Sequence, residues 1–286
     1  MSAPTAPPWE GIAVWRGGEL VVREDEDLTP ARMLAADSWL VVDGAVRALE
    51  LHRRRFRDAV TAAATESAWA DTAGFWDAAM ATTPRTGSWF PRVEARWVRG
   101  AIQLQVRMRR APTIRRSIVL VTAETDPRRH PRTKGPDLEA MLRLRTLAQA
   151  RHADEEVILD AEGAIAEGST TCLMWWRPGP EGRDVLGLPA DDIPRIDSVT
   201  VRSVLALATA MGIEVRGERA RPDQLEGCEI WALSALHGAR IVTRWVDGPL
   251  TAEQPGRLGS WRARLDALRR PIAPLRPGSV ERVPAP

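Results

Sequence analysis

Alternation of apolar and polar positions dominates the first part of the chain. Residues 12–22 (IAVWRGGELVV) set two alternating runs on either side of Gly17-Gly18, the pattern of a β-hairpin. Residues 39–49 repeat it around Asp43-Gly44, and residues 92–110 repeat it around Arg99-Gly100. An Ala- and Arg-rich helix is expected over about 50–66, and the apolar run 117–123 (SIVLVTA) reads as a buried strand. Residues 124–133 (ETDPRRHPRT) are polar and broken by proline, which makes them the expected linker.

Past residue 133 the period changes. A helix fits 136–151, with Pro136 in its first turn and Leu138, Met141, Leu142 and Leu144 or Leu147 as an apolar face. Strands are expected at 157–160 and 171–176, on either side of a turn at Glu162-Gly163. A helix is expected over 199–211, closing at Gly212, and strands at 229–234 and 239–246. The chain therefore reads as α/β, in the wider α+β sense. A smaller N-terminal α/β domain spans 9–123, the linker 124–133, and a larger C-terminal domain 134–286. The Pro-rich stretches 1–8 and 271–286 are expected to be irregular.

Composition removes several function classes. A net charge of +2 does not predict nucleic-acid binding, and no apolar run nears the roughly 20 residues that span a membrane. Cys172 and Cys228 are too few for a disulfide framework, and His52, His130, His152 and His237 lack metal-ligand spacing. The start has no basic region followed by an apolar run, so the chain reads as soluble and cytoplasmic. The Arg-dense stretch 107–132 reads as solvated strand edges and linker, although Arg107 or Arg109 is a candidate for a substrate carboxylate. With no Tyr and only 3 Phe, the 12 Trp are expected to fill aromatic core sites. One of Trp175 and Trp176 is a candidate for lining a pocket, since alternation turns only one inward.

One residue changes the picture. Of 40 Lys and Arg residues only Lys134 is a lysine. Arginine stays protonated, whereas a desolvated lysine amine can lose its proton and attack a carbonyl. Lys134 is therefore a candidate Schiff-base residue. Ser198, just before the expected helix 199–211, is a natural N-cap, and helix starts with free N–H groups bind anions.

The stretch from Lys134 onward, KGPDLEAMLRLRTLAQARHADEEVILDAEGAIAEGSTTCLMWW, resembles the core of the class IV aminotransferase family. The matching features are Lys134 opening a helix, Ala153-Asp154-Glu155, the D-x-x-G turn from Asp160 to Gly163, and Glu167 before the next strand. That pyridoxal-phosphate family includes branched-chain and D-amino-acid aminotransferases and aminodeoxychorismate lyase. The resemblance implies that Lys134 forms a Schiff base with pyridoxal 5'-phosphate and that Glu167 pairs the pyridine nitrogen. It further implies a phosphate seat from Val199 and Thr200 (SVTVRSVLALA), from Ser234 and Ala235 (EIWALSALHGARIV), and from Arg55 in the H-x-x-R element LHRRRF. Arg53, Arg54 and Arg57 are expected to be solvated.

Some positions depart from the family pattern. Ser198 and Val201 replace the usual Gly and Arg, Asp137 and Cys172 replace customary Asn, and the acidic-glycine signature is lost in AADSWL (35–40). The expected activity is amino transfer between an amino acid and a 2-oxo acid, in a homodimer. The alternatives are a lyase of the aminodeoxychorismate type releasing pyruvate, and a non-catalytic binding relative.

Overall fold

The computed structural model describes residues 9–23, 29–63, 72–179 and 182–273. The run 1–8, the end of the first expected helix (64–66) and residues 274–286 of the Pro-rich tail lie outside the described residues.

Along the chain, the first half carries β1 (Gly11–Arg16), β2 (Glu19–Val22), β3 (Arg32–Ser38), β4 (Val41–Val42) and β5 (Ala45–Arg47). There follow α1 (Leu49–Ala63), α2 (Thr72–Thr82), β6 (Ser88–Trp89), β7 (Arg92–Val98) and β8 (Ala101–Met108). The second half begins with β9 (Ser117–Thr122), α3 (Leu138–Ala150), β10 (Glu155–Leu159), β11 (Ile165–Gly168) and β12 (Cys172–Pro178). It ends with β13 (Asp184–Pro189), α4 (Val199–Ala210), β14 (Val215–Glu218), β15 (Glu229–Ser234), β16 (Gly238–Val246), α5 (Arg257–Ala267) and β17 (Arg269–Pro271).

These elements form a mixed α/β fold. An antiparallel sheet takes the order β2-β1-β8-β7-β3, and a mixed eight-stranded sheet the order β11-β10-β9-β16-β15-β12-β13-β14. A small third sheet, β17-β5-β4-β6, uses strands from both ends of the chain. All three expected hairpins form with their expected turns, and Asp43 and Arg99 take the left-handed backbone that those turns need (φ 46° and 49°). On α1, His52, Phe56 and Val60 recur every fourth residue and are buried, facing the five-stranded sheet.

The eight-stranded sheet is covered on both faces, which decides where the tryptophans go. Trp175 packs among Leu173, Ile230 and Trp245, whereas Trp176 lies with Trp231 and Trp261 on the other core cluster. The last three make edge-to-face contacts with centroids 5.4–5.6 Å apart, worth about 1 kcal/mol each beyond burial. Both Trp175 and Trp176 are thus buried, on opposite sides of β12, and neither lines the cavity around Lys134.

Three expectations need correction. β9, assigned above to the first unit, pairs with β10 and β16 inside the eight-stranded sheet. Within the stretch 124–133, most of which is exposed, Arg128 is not solvated: its side chain is only 4% exposed. On α3 only Leu144 and Ala148 are buried, while Leu138, Leu142 and Leu147 are exposed. That helix also starts at Leu138 rather than 136, with Asp137 as its N-cap residue.

Lys134 is fixed by backbone rather than by an element. β3 is the edge of its sheet, and its Ala36 N–H donates to the Lys134 carbonyl at 2.7 Å. Gly135 follows with φ +133°, and a Cβ there would lie 2.6 Å from the Ala36 nitrogen. Only glycine permits this approach. Gly135→Ala is expected to cost about 2–4 kcal/mol in denaturant unfolding, through strain and overpacking. Gly100→Ala, at φ +84° but in open space, serves as the control and should cost clearly less. Equal losses would show that the close approach to β3 is not what requires glycine.

Candidate active site

Three segments converge on Lys134. β11 carries Glu167, the loop before α4 supplies Ile196 to Ser198, and α1 supplies His52 and Arg55. All residues expected at the site, Arg55, Lys134, Glu167, Val199, Thr200, Ser234 and Ala235, line one cavity. Arg107 and Arg109 do not. Arg109 instead donates to the Phe90 carbonyl and stacks on the Phe90 ring.

The acidic motif residues hold the cavity wall. Asp154 accepts the Val119 N–H at 2.9 Å, fixing the start of β10 beside β9. Glu155 is buried and accepts from the Thr170 N–H (3.1 Å), from the Thr171 hydroxyl (2.9 Å) and from Arg240 (3.1 Å). It thereby pins the turn between β11 and β12, which lines the cavity. Asp160 accepts from the N–H groups of Glu162 and Ala164, and Gly163 takes φ +81°, so the D-x-x-G stretch is a tight turn aligning β11 on β10.

Glu167 is buried, and both of its oxygens are engaged. Arg128 Nη1 donates to Oε1 at 2.6 Å and the Ile196 N–H to Oε2 at 3.2 Å. Burial raises the carboxyl pKa, with Arg128 and the Ile196 N–H opposing. Arg128 is itself held by Asp126, through Nε at 2.9 Å and Nη2 at 2.8 Å. Composition hid this residue: in a chain whose cations are nearly all Arg, nothing marks Arg128 among its neighbours.

Asp37 is the second residue that sequence reasoning missed. It lies on β3, fully buried, within the segment read above as having lost its acidic-glycine signature; the acid is present and the glycine is not. Arg55 grips it with Nε and Nη2, each at 2.8 Å, and His52 Nδ1 lies 2.8 Å from Oδ1. Burial alone would raise the Asp37 pKa, but Arg55 and His52 together hold it well below the usual carboxylate range. The one available signal was a lone acid in an otherwise apolar stretch, MLAADSWLVV. Arg55 also donates from Nη1 to the Asp197 carbonyl at 2.7 Å, tying α1 to the loop before α4.

α4 begins as expected. Ser198 has extended backbone (φ −78°, ψ 120°), and its Oγ accepts the Val201 N–H at 3.3 Å. The N–H groups of Val199 and Thr200 stand in the first turn, where no helical acceptor exists. Ser234 Oγ accepts the His237 N–H at 3.2 Å and shapes the turn after β15. Cys172 is buried beside the site, and burial pushes its thiol up to about 12, so it stays protonated. Asp137 also lines the cavity and accepts the N–H groups of Arg129 and His130.

Lys134 is half-buried in this wall. Burial and the nearby Arg55 push its amine below the usual lysine pKa, while Asp37 and Glu167 pull the other way. The arrangement is an amine of weakened basicity facing a cavity that also holds a buried carboxylate and a helix N-terminus.

The family model described as "Amino-transferase class IV" matches residues 34–245, more than half of the chain. No curated protein matches the chain in sequence. Among solved structures it is similar to a fold IV-transaminase from Curtobacterium pusillum, at 19% identity and a TM-score of 0.73, covering 90% of this chain and 97% of that one. It is similar to a branched-chain aminotransferase from Thermoproteus uzoniensis with norvaline, at 16% identity and a TM-score of 0.74, covering 91% and 99%. It is also similar to a hypothetical aminotransferase from Mycobacterium tuberculosis in its PLP-bound form, at 16% identity and a TM-score of 0.73, covering 90% and 98%. With a cavity that gathers the lone lysine, a buried carboxylate and a helix N-terminus, and a family model that spans most of its length, the chain belongs to the amino-transferase class IV family of pyridoxal-phosphate enzymes.

Proposed function

We propose that this chain moves an amino group between an amino acid and a 2-oxo acid, with Lys134 as the amine that captures the cofactor. The observation that carries this reading is the convergence on one cavity of the only lysine, Glu167, Arg55 and the start of α4. The donor set fits pyridoxal phosphate. A phosphate finds the N–H groups of Val199 and Thr200 at the positive end of α4, with the turn at Ser234 and Ala235 alongside. Arg55 has five N–H donors and uses three on Asp37 and Asp197, which leaves two for a phosphate.

When bound, the cofactor supplies an aldehyde for the amine and a ring that withdraws electrons from the substrate's α-carbon. The protein's share is positioning and proton traffic. Glu167, held by Arg128 and the Ile196 N–H, would offer its carboxylate to the cofactor's ring nitrogen and favour the protonated form of that nitrogen. Lys134, its pKa lowered by burial and by Arg55, gives up its proton more readily than an ordinary lysine and can take it back, which suits a general base at the α-carbon. Arginine at 134 would stay protonated and perform neither task.

The test is a visible spectrum of the protein loaded with pyridoxal phosphate. Wild type should be yellow, lose the band on borohydride reduction, and carry the adduct on Lys134. Lys134→Ala and Lys134→Arg should show no adduct, and amino transfer should fall by at least about 10²-fold. A wild-type protein that stays colourless with added cofactor would overturn the reading. Product analysis then separates amino transfer from pyruvate-releasing elimination.

The exposed leucines of α3, Leu138, Leu142 and Leu147, support a homodimer built across that helix. Leu142→Glu should shift the sedimentation coefficient from dimer to monomer. An unchanged dimer would place the interface elsewhere.

A further inference from the structure

The turn that carries Ser234 and Ala235 continues into the wall of a second cavity, of about 160 Å³. Its charged lining is Arg47 on β5, Arg262 and Asp266 on α5, and Arg269 on β17, with His237 and Gly238 from the turn itself. Three guanidinium groups therefore face one carboxylate. That carboxylate is already engaged, because Arg269 Nη2 donates to Asp266 Oδ1 at 2.5 Å. Arg262 donates from Nη1 to the carbonyls of His237 (3.0 Å) and Ala239 (2.5 Å), so its charge has no anionic partner there.

Arg47 is the telling residue. It is only 7% exposed, and although its backbone pairs with Arg269 in the β5–β17 ladder, its guanidinium makes no hydrogen bond or ion pair with any of the described residues. The backbone packs close to it, since a Cβ at Gly238 would lie 3.6 Å from Arg47 Nη1. Burial, together with Arg269 and Arg262, pulls its pKa down to about 10, with Asp266 opposing. His237 gives no compensation: it is pushed down to about 4 and stays neutral, with Nδ1 accepting the Arg115 N–H at 3.2 Å. A buried cation without a partner is costly, and a guanidinium fork matches an oxyanion in shape as well as charge.

We propose that this cavity binds a small oxyanion, of the carboxylate or phosphate kind, gripped by Arg47 and flanked by Arg262 and Arg269. The anion would bind where three separate segments meet, β5, the 236–239 turn and α5 with β17, and would hold them together. Nothing in this site depends on the chemistry at Lys134.

The test is calorimetric titration of the full chain, with inorganic phosphate in one arm and succinate in the other, at constant ionic strength. Wild type should show saturable binding in at least one arm, the tighter arm naming the oxyanion. Arg47→Met should weaken that binding by about tenfold or more, as expected for losing a charge-assisted pair. Arg47→Lys, which keeps the charge and loses the fork, should fall between. Arg55→Met, beside the Lys134 cavity, should retain the binding that Arg47→Met loses. Should Arg47→Met fail to fold, Arg269→Gln carries the same expectation, because Arg269 lines the cavity from a partly exposed position. Two results would overturn the proposal: no saturable binding in either arm, or binding that survives Arg47→Met and disappears in Arg55→Met.

Discussion

A carboxylate with no access to water must be surrounded by cations and donors, and Asp37 is in that position. It sits on β3 with Arg55 forked across both of its oxygens and His52 alongside. The same guanidinium reaches the Asp197 carbonyl, so a single arginine joins the edge of the five-stranded sheet to the start of α4. Removing one member of such a buried pair leaves an uncompensated charge and typically costs about 3–5 kcal/mol. Lys134 is hung on the same strand through Ala36, one residue from Asp37. The amine, the start of α4 and the fork that joins them are therefore parts of one mechanical unit.

A second buried pair, Arg128 with Glu167, does for the other end of the cavity what Arg55 with Asp37 does for the first. Each pair fixes a carboxylate whose burial raises its pKa and an arginine that opposes the rise. Lys134 lies in the field of both, lowered by desolvation and Arg55 and supported by Asp37 and Glu167. The net effect is an amine less basic than an ordinary lysine, which is the property the proposed role asks of it.

Much of this was legible in the sequence where the local signal and the tertiary context agree. Gly17-Gly18, Asp43-Gly44 and Arg99-Gly100 marked real hairpins because a turn that needs positive φ leaves a mark in residue type. Lys134 stood out as the only lysine in the chain, and the order of features from it to Glu167 then carried the rest. Elsewhere the deciding information is tertiary. Arg128 is one arginine among many until Glu167 is seen beside it, and Asp37 is one acid within AADSWL until Arg55 is brought to it from α1. The leucines of α3 look like a core face by period, yet only Leu144 and Ala148 are buried, and Ala148 packs with Val121 of β9 and Ala153. β9 reads as the end of one unit because it precedes a Pro-rich stretch, whereas its partners, β10 and β16, come much later in the chain.

The most direct test of the unit formed by Asp37 and Arg55 is a double-mutant cycle read out as pyridoxal-phosphate affinity, with Asp37→Asn, Arg55→Met and the double variant. Each single change is expected to weaken cofactor binding strongly, and the double variant to lose little more than either one, because each single change already breaks the fork. Losses that simply add would show that the two residues act independently, and that the site does not depend on their pairing.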